Sequence, residues 1–419
     1  MRRDPDQKVR RRRVFYFPGY DPIHSRRYRE LYRKESTEQA QISGYRIEQR
    51  PKDGHDGIYG WQVAADFDGA RVRSDIDVLV WSDIVRNSMS NTIPATYAHL
   101  VRVCWTYITT GTLRRLMRLR KGPVIAALYP VVMLILQLLL GLLLAWGVSR
   151  VAIGLAQAVL PTWTWLHSVI WIAAVAGGLA LGARAMRWFR DHDHLIYVYY
   201  LLHNYAFSAR HAGATPPELD ARLKEFTEII ARALTDKVDE VLIVGHSSGA
   251  HLAVSVVADL LRNRQVPANG PALSLLTLGQ VVPMVSFLPK AIGLRSDLRD
   301  LSDSDQITWV DVTAPGDGCT FALCDPVTVS GVAPEGKRWP LVISAAFTQT
   351  LSPERWKAMR WRFFRLHFQY LCAFDRPGDY DYFKITAGPL TLGQRYDGRQ
   401  PSRSRIDVPV SKYTSVRAA

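Results

Sequence analysis

The chain has 419 residues, of which 48% are hydrophobic and 11% aromatic, and this composition excludes disorder over most of its length. The formal net charge is +15, which favours an acidic partner such as nucleic acid or an anionic lipid surface. Because the basic clusters flank apolar stretches and no nucleic-acid-binding motif accompanies them, we expect membrane lipids as the partner and no nucleic acid.

The cysteines indicate a cytosolic setting, and the amino terminus indicates a first strand rather than a signal peptide. The spacing of the four cysteines fits neither a zinc site nor a disulfide framework; they are Cys104, Cys319, Cys324 and Cys372. We interpret them as reduced thiols. The apolar run after the basic amino terminus covers only residues 14–17 before Pro18 and Gly19, which is too short for a signal peptide and typical of a strand.

Residues 1–121 are predicted to be mainly strands that lead into one helix. The strands are predicted at Val14 to Phe17, Tyr45 to Glu48, Trp61 to Phe67 and Ile76 to Trp81, with Gly- and Asp-rich turns between them. The stretch from Ala95 to Leu119 is predicted to be helical and to run toward the apolar segment that follows.

Two uncharged apolar stretches follow, and each is long enough to cross a bilayer as a helix. We predict spans at about 123–146 and 163–183, within a helical hairpin that occupies residues 122–190. Gly178 and Gly182 in the second stretch have the four-residue spacing that allows helices to approach closely. The alternative is a pair of buried helices in a soluble core.

The charges beside the two stretches predict the orientation of the hairpin. Basic residues precede the first stretch and follow the second, whereas the connection between the stretches carries only Arg150. The flanking residues are Arg114, Arg115, Arg118, Arg120, Lys121, Arg184, Arg187 and Arg190. The positive-inside rule then places both soluble arms in the cytoplasm, as in an integral protein of the cytoplasmic membrane.

Beyond the hairpin, short apolar strands alternate with amphipathic helices. Helices are predicted at Leu195 to Arg210 and at Gly249 to Arg262. Between them, another helix is predicted to begin after a Thr215 cap, with Pro216 as its first helical residue. The strands are predicted at Val241 to Val244, Leu273 to Leu278 and Ile307 to Val312. This alternation predicts an α/β fold with a largely parallel sheet. The polar residues 401–419 are expected to form a poorly ordered tail.

The strand at Val241 runs directly into Gly245-His246-Ser247-Ser248-Gly249, a Gly-x-Ser-x-Gly sequence that is followed by a helix. Such a sequence is typical of a tight turn that exposes the serine, because a Cβ at either glycine would collide with neighbouring backbone. A glycine-rich turn without chemistry is the alternative. The flanking strand and helix favour Ser247 as a nucleophile.

With this turn the chain resembles the serine hydrolases of the α/β-hydrolase superfamily. Two shorter sequences are similar to class 3 lipases within that superfamily, Leu276-Thr277-Leu278-Gly279-Gln280 and the His-x-x-Tyr of His367-Phe368-Gln369-Tyr370. The resemblance covers about residues 215–370, and the front segment and the hairpin depart from the usual lipase plan. It implies an α/β-hydrolase-like, mostly parallel sheet flanked by helices, built from residues 1–121 and 191–400 with the hairpin inserted between them.

The superfamily order of catalytic residues is serine, acid and histidine, so the acid is expected downstream of Ser247. The strand from Ile307 to Val312 opens into a loop that carries Asp317, the first candidate. Asp325 is the alternative acid. Asp311 is interpreted as a structural residue, because it lies at the end of the strand rather than in the loop.

His367 is the predicted base that takes the proton of the serine hydroxyl. The other histidine after Ser247 is His251, which lies one helical turn into the following helix and is expected to face away from the hydroxyl. A histidine in an aromatic cluster, without a catalytic role, is the alternative interpretation of His367.

The tetrahedral intermediate of acyl transfer needs two backbone N–H donors that point at its oxyanion. Ser248, directly after the nucleophile, is the first predicted donor, and Gly19 or Tyr20 in the loop after the first strand is the second. An ordinary Pro-Gly turn is the alternative interpretation of that loop. His246 and His24 could line the pocket, but both are interpreted as solvated or hydrogen-bonded bystanders.

No metal or cofactor is expected. The run from Asp191 to His194 is interpreted as a solvated linker rather than a ligand set, and no phosphate-binding loop is present. We therefore expect a membrane-anchored serine hydrolase that cleaves an acyl ester, such as a lipid-like small molecule, through an acyl-enzyme on Ser247. A thioesterase or acyltransferase with the same residues, or a catalytically silent scaffold, are the alternatives.

Overall fold

The structure, a computed structural model, describes residues 8–52, 57–89, 92–159 and 164–417. Its strands are β1 (Arg11–Phe17), β2 (Arg46–Pro51), β3 (Gly60–Phe67), β4 (Ala70–Val78), β5 (Glu240–His246), β6 (Ala272–Leu278), β7 (Ile307–Thr313) and β8 (Leu341–Ser344). In the described part of the chain these eight strands form one sheet, in the order β2-β3-β4-β1-β5-β6-β7-β8.

Helices flank this sheet and fill the long connection between β4 and β5. In chain order the α-helices of the described residues are α1 (Arg26–Ser43), α2 (Ser82–Ser88), α3 (Ile93–Thr109), α4 (Thr112–Leu119), α5 (Lys121–Val159), α6 (Thr164–Asp191), α7 (Val198–Arg210), α8 (Pro217–Ala233), α9 (Gly249–Arg262), α10 (Val282–Ser286), α11 (Ile292–Asp303), α12 (Pro326–Val329), α13 (Phe347–Thr350), α14 (Pro353–Met359), α15 (Phe363–His367), α16 (Tyr382–Ala387) and α17 (Leu392–Arg395).

The sheet is mixed and mostly parallel. β1 pairs in parallel with β4 and β5, and the parallel pairing continues through β6, β7 and β8, whereas β2 and β3 are antiparallel at one edge. All seven residues of β5 are buried, as expected for a strand that is covered on both faces. The predicted α/β class is therefore confirmed.

Each predicted strand overlaps an observed one, and the differences have local causes. β4 begins at Ala70 rather than Ile76, because Asp68 and Gly69 both have positive φ and form a tight hairpin turn after β3. Two elements were not predicted. β8 has only four residues, and α1 has a polar sequence that buries Tyr28 and Tyr32 on one face.

Three predicted helices outside the hairpin have different bounds in the structure. The helix predicted from Leu195 begins at Val198, after Tyr197 with a φ of +56°. Residues 95–119 divide into α3 and α4, because Gly111 between them adopts a φ of +70°. The helix expected after a Thr215 cap begins instead at Pro217, and Pro216 before it is extended with ψ 146°. A residue that precedes a proline avoids the helical region, which explains the later start.

The carboxy-terminal segment is hydrogen-bonded to the fold, contrary to the expectation of a poorly ordered tail after about residue 400. Ile406 forms a parallel bridge with Cys324, and the amide of Asp325 donates to the carbonyl oxygen of Ile406 at 2.9 Å. The buried Arg295 donates from Nε to the carbonyl oxygen of Ser415, also at 2.9 Å. Backbone pairing of this kind leaves little trace in amino-acid composition.

The chain divides into two compact units. The first consists of Met1–Asn87, Thr106–Val124 and Ser208–Ala419 and contains the whole sheet. The second consists of Ser88–Trp105 and Ile125–Phe207 and contains α6 and most of α5. Segments on both sides of the predicted hairpin therefore group with its helices rather than with the sheet.

The helices α5 and α6 contain two segments that are long and apolar enough to cross a membrane. These are Lys121–Ala158 and Ser168–Asp191, with mean hydropathies of 2.6 and 1.7 in their most apolar windows. Only 22% of each window is buried, whereas a core helix of a soluble protein is mostly buried.

The two helices touch through small residues, as the spacing of Gly178 and Gly182 predicted. A Cβ on Gly178 would overlap the carbonyl oxygen of Ala145, and one on Gly182 would lie 2.6 Å from the carbonyl oxygen of Gly141. The hydroxyl of Ser149 on α5 also donates to a carbonyl oxygen of α6 at 3.1 Å. The backbones therefore approach as closely as small residues permit in membrane helix pairs.

Candidate active site

The candidate residues follow the carboxyl ends of the parallel strands. The register places the ends of β1, β5, β6 and β7 side by side at one edge of the sheet. In open α/β sheets, ligands bind outside this edge. The loops after β1, β5 and β7 carry Gly19, Ser247 and Asp317, respectively.

Ser247 occupies the turn between β5 and α9 with a strained backbone. Its φ is +57°, in the left-handed region that serine rarely adopts, and the residue is partly exposed. Its amide donates to the carbonyl oxygen of Leu278 at 2.9 Å. A Cβ on Gly245 would lie 2.7 Å from Cα of Ala250, and one on Gly249 would overlap backbone carbonyls at the end of β1. The turn therefore requires both glycines of the Gly-x-Ser-x-Gly sequence.

The loop after β1 lies against Ser247. A Cβ on Gly19 would lie 3.1 Å from Cβ and 3.5 Å from Oγ of Ser247. The indole of Trp81 donates to the carbonyl oxygen of Pro18 at 3.0 Å, and the buried ring of Tyr20 packs edge-on against the same indole. Trp81 thus holds the backbone on both sides of Gly19 in place beside the serine.

His367 and Asp317 form a buried pair. Nδ1 of His367, the last residue of α15, donates to Oδ2 of Asp317 at 2.7 Å. The amide of Cys319 donates to the other carboxylate oxygen at 2.9 Å. Because Nδ1 is bonded to the carboxylate, Nε2 of the imidazole is left to accept a proton.

Tyr370 lies against the same carboxylate. Its hydroxyl donates to Oδ2 of Asp317 at 3.2 Å and accepts the amide of Ala314 at 3.0 Å. Burial of the ring raises the pKa of the hydroxyl well above its usual range, so the hydroxyl remains a donor. Tyr370 is the tyrosine of the His-x-x-Tyr sequence, but its contact with Asp317 was not predicted. The signal for this contact was its spacing of three residues from His367, which puts the two residues on neighbouring turns.

Ser247 and His367 both lie beside the peptide that joins Leu278 to Gly279. The carbonyl oxygen of Leu278 accepts the Ser247 amide, and a Cβ on Gly279 would lie 3.1 Å from Cε1 of His367. The ring of His246, directly before the serine, lies 4.9 Å from the His367 ring between centroids. Among the described residues the imidazole of His367 bonds to a carboxylate and not to the serine hydroxyl. Catalytic hydrogen bonds are often long before substrate binds.

His246 and His24 are both hydrogen-bonded, as the bystander interpretation expected. Nε2 of His246 donates to the carbonyl oxygen of His367 at 3.0 Å. Burial, together with the neighbouring imidazole of His367, holds the pKa of His246 well below its usual range, so the ring is neutral. Nδ1 of His24 accepts the amide of Arg26 at 3.2 Å. His246 therefore ties the backbone of His367 to the serine turn.

The carboxylates of Asp325 and Asp311 stabilise the fold and do not orient the imidazole of His367. Asp325, the alternative acid, accepts two backbone amides at the start of α12 and pairs with Nζ of Lys337 at 2.6 Å. Asp311 accepts the hydroxyl of Thr277 at 2.6 Å between β6 and β7, and burial raises its pKa to about 8. Within the described residues neither carboxylate bonds to His367.

Asp317, Cys319 and His367 could in principle hold a metal ion, since their donor atoms lie within 4.8 Å of one another. Burial raises the pKa of the Cys319 thiol well above its usual range, whereas cysteine binds zinc as a thiolate. Nδ1 of His367 is also committed to the carboxylate. The set fits an acid–base pair better than a metal site.

Asp193, in the run interpreted as a linker, accepts two amides at the start of α7.

No family model, curated protein or solved structure matches the chain. What the fold defines is an α/β protein with a mixed eight-stranded sheet and a pair of long apolar helices. Any assignment of function therefore depends on the contacts at the carboxyl edge of the sheet.

Proposed function

We propose that the chain is a membrane-anchored serine hydrolase of the α/β-hydrolase type that cleaves acyl esters. The observation that carries the proposal is the position of Ser247, in a strained and partly exposed turn beside the His367–Asp317 pair. A serine held in the left-handed region costs of order 1–3 kcal/mol. Such strain is concentrated at functional sites, where the turn presents the side chain to a substrate.

In the proposed reaction Oγ of Ser247 attacks the acyl carbon of the ester while Nε2 of His367 takes the hydroxyl proton. The bond to the alcohol then breaks, and the alcohol leaves with the proton from His367. Water attacks the acyl-enzyme by the same route, giving the acid and free Ser247. Asp317 keeps the imidazole oriented and stabilises its positive charge, and the contact from Tyr370 fixes Asp317 in turn.

The proposed oxyanion donors are the amide of Ser248 and an amide of Gly19 or Tyr20. Ser248 is the N-cap of α9, so its amide lies at the positive end of that helix. The contact between Gly19 and the serine side chain puts the second loop within reach of the same carbonyl oxygen. Two such donors account for a large share of the rate enhancement in acyl transfer.

The membrane half of the proposal is supported by α5 and α6, which are apolar, largely exposed and packed through small residues. Basic residues at both outer flanks favour a location in the cytoplasmic membrane with the sheet in the cytoplasm. Anchoring would raise the local concentration of lipid-like acyl esters at the site, which favours these as substrates.

Hydrolysis of p-nitrophenyl esters by the full chain in detergent tests the proposal. Ser247→Ala should lower kcat/KM by more than about 1,000-fold. Ser404→Ala, at an exposed serine in the carboxy-terminal segment, is the matched control and should retain full activity. A folded wild-type protein that hydrolyses no ester or thioester and does not react with fluorophosphonates would favour a catalytically silent scaffold.

A further inference from the structure

An exposed aromatic and cationic segment lies next to the candidate active site. Trp361 and Phe363, where α14 leads into α15, are 72% and 50% exposed. Four cations in the same segment are also exposed, and they are Lys357, Arg360, Arg362 and Arg365. We call residues 357–365 the cationic rim.

The charge of the cationic rim is not neutralised within the protein. Among the described residues, none of its four cations forms an ion pair, and the guanidinium of Arg360 lies 5.6 Å from the ring centroid of Trp361. Arg355, on the same helix but outside the rim, pairs with Glu38 at 2.8 Å. The positive charge of the rim is therefore available to an external anionic partner.

The cationic rim and the start of α5 both lie against Gly318, in the loop that carries Asp317. Ring atoms of Phe363 lie 3.5 Å from a Cβ built on Gly318, the residue after Asp317. A Cβ built on Gly122 would lie 3.3 Å from the carbonyl oxygen of the same Gly318. The uncharged stretch of α5 begins at Pro123. If the uncharged stretch enters a bilayer at Pro123, the rim therefore lies near the point of entry, where the lipid headgroups are.

We infer that the cationic rim docks on anionic phospholipid headgroups, with Trp361 and Phe363 inserted at the interface. The inference rests on the proposed membrane anchoring. Tryptophan prefers the membrane–water interface, and arginine and lysine near it are attracted to anionic lipids. Because α15 begins at Phe363 and ends at His367, docking would turn the catalytic edge toward the lipids that supply an acyl ester.

Hydrogen–deuterium exchange of the full chain in lipid nanodiscs tests this docking without relying on activity. In phosphatidylcholine discs with about 30% phosphatidylglycerol, amides of residues 358–365 should exchange roughly tenfold more slowly than in detergent. The double variant Arg360→Gln/Arg362→Gln should lose most of this protection. The control Arg264→Gln/Arg299→Gln removes the same charge from exposed positions after α9 and on α11, and should keep it.

Exchange in residues 123–146, measured in the same samples, separates the two ways in which the inference can fail. If these residues are protected in discs while the cationic rim exchanges as fast as in detergent, the docking is wrong and the anchor stands. If neither segment is protected, the proposed anchor fails as well. Rim protection that grows with protein concentration in detergent would indicate self-association and would also overturn lipid docking.

Discussion

The turn at Ser247 and the contact between α5 and α6 both depend on close backbone contacts that leave no room for a Cβ. The two contacts serve different purposes. At the turn, Gly249 lies against the end of β1, and the strained residue is Ser247, two positions earlier, with φ +57°. Between the helices, Gly178 lies against a carbonyl oxygen with ordinary helical geometry on both sides. Substitutions at the sheet edge should therefore abolish the proposed hydrolysis. Substitutions in the hairpin should weaken the packing of α5 against α6 and leave hydrolysis unchanged.

The largest effect is expected when the two candidate acids are exchanged for amides. Asp317→Asn should lower kcat/KM by about 1,000- to 10,000-fold, because the imidazole loses the carboxylate that orients it. Asp325→Asn should leave kcat/KM within about twofold but lower the free energy of unfolding by about 1–3 kcal/mol, since the charge opposite Lys337 is lost. Ester hydrolysis and thermal melts of both variants check this, and equal activity losses would contradict the assignment of Asp317.

A buried carboxyl beside the site is expected to affect stability alone. Burial raises the pKa of Asp311 from 3.8 to about 8, so the folded state keeps a proton that the unfolded chain releases. The free energy of unfolding should therefore fall by up to about 1.4 kcal/mol per pH unit as pH rises between these two values. Asp311→Asn should lack this slope and melt at a higher temperature than wild type at pH 8. The same Tm difference at pH 4 and pH 8 would contradict it.

In the hairpin, neighbouring glycines provide a matched pair. Gly178→Ala should weaken the contact between α5 and α6 by about 1–3 kcal/mol, because its Cβ would overlap a carbonyl oxygen. Gly177→Ala meets nothing within 4 Å and should be neutral or slightly stabilising. Titration with sodium dodecyl sulfate measures the difference. Both variants should hydrolyse a water-soluble ester like wild type, and a loss of activity in Gly178→Ala would break the comparison.

The smallest effect at the sheet edge is expected from Tyr370→Phe. The variant removes the hydroxyl that donates to Asp317, and kcat/KM should fall by about tenfold while KM changes little. A lowered melting temperature with an unchanged kcat/KM would mean that Tyr370 only supports packing.

Local sequence was sufficient where neighbouring residues determine the conformation. The Gly-x-Ser-x-Gly turn follows from two glycines and the strand before it, and α9 spans Gly249–Arg262 as predicted. Both apolar spans follow from length and composition. The close contact at Gly178 follows from small-residue spacing.

Sequence alone was insufficient where tertiary contacts decide. α1 has a polar sequence and is placed by a few buried aromatic residues, and β8 is too short to have a periodic pattern. The carboxy-terminal segment is placed by backbone hydrogen bonds near Asp325. The sequence favoured Asp317 but left Asp325 open, and only the contact with His367 distinguishes the two carboxylates. The cationic rim could be recognised only from the exposure of its side chains.

Mass spectrometry of the full chain after reaction with a fluorophosphonate tests the central claim most directly. One adduct on the peptide that contains Ser247 is expected, formed at least about 1,000-fold more slowly in His367→Ala. An adduct on another residue, or equal labelling of wild type and His367→Ala, would contradict a serine activated by that imidazole.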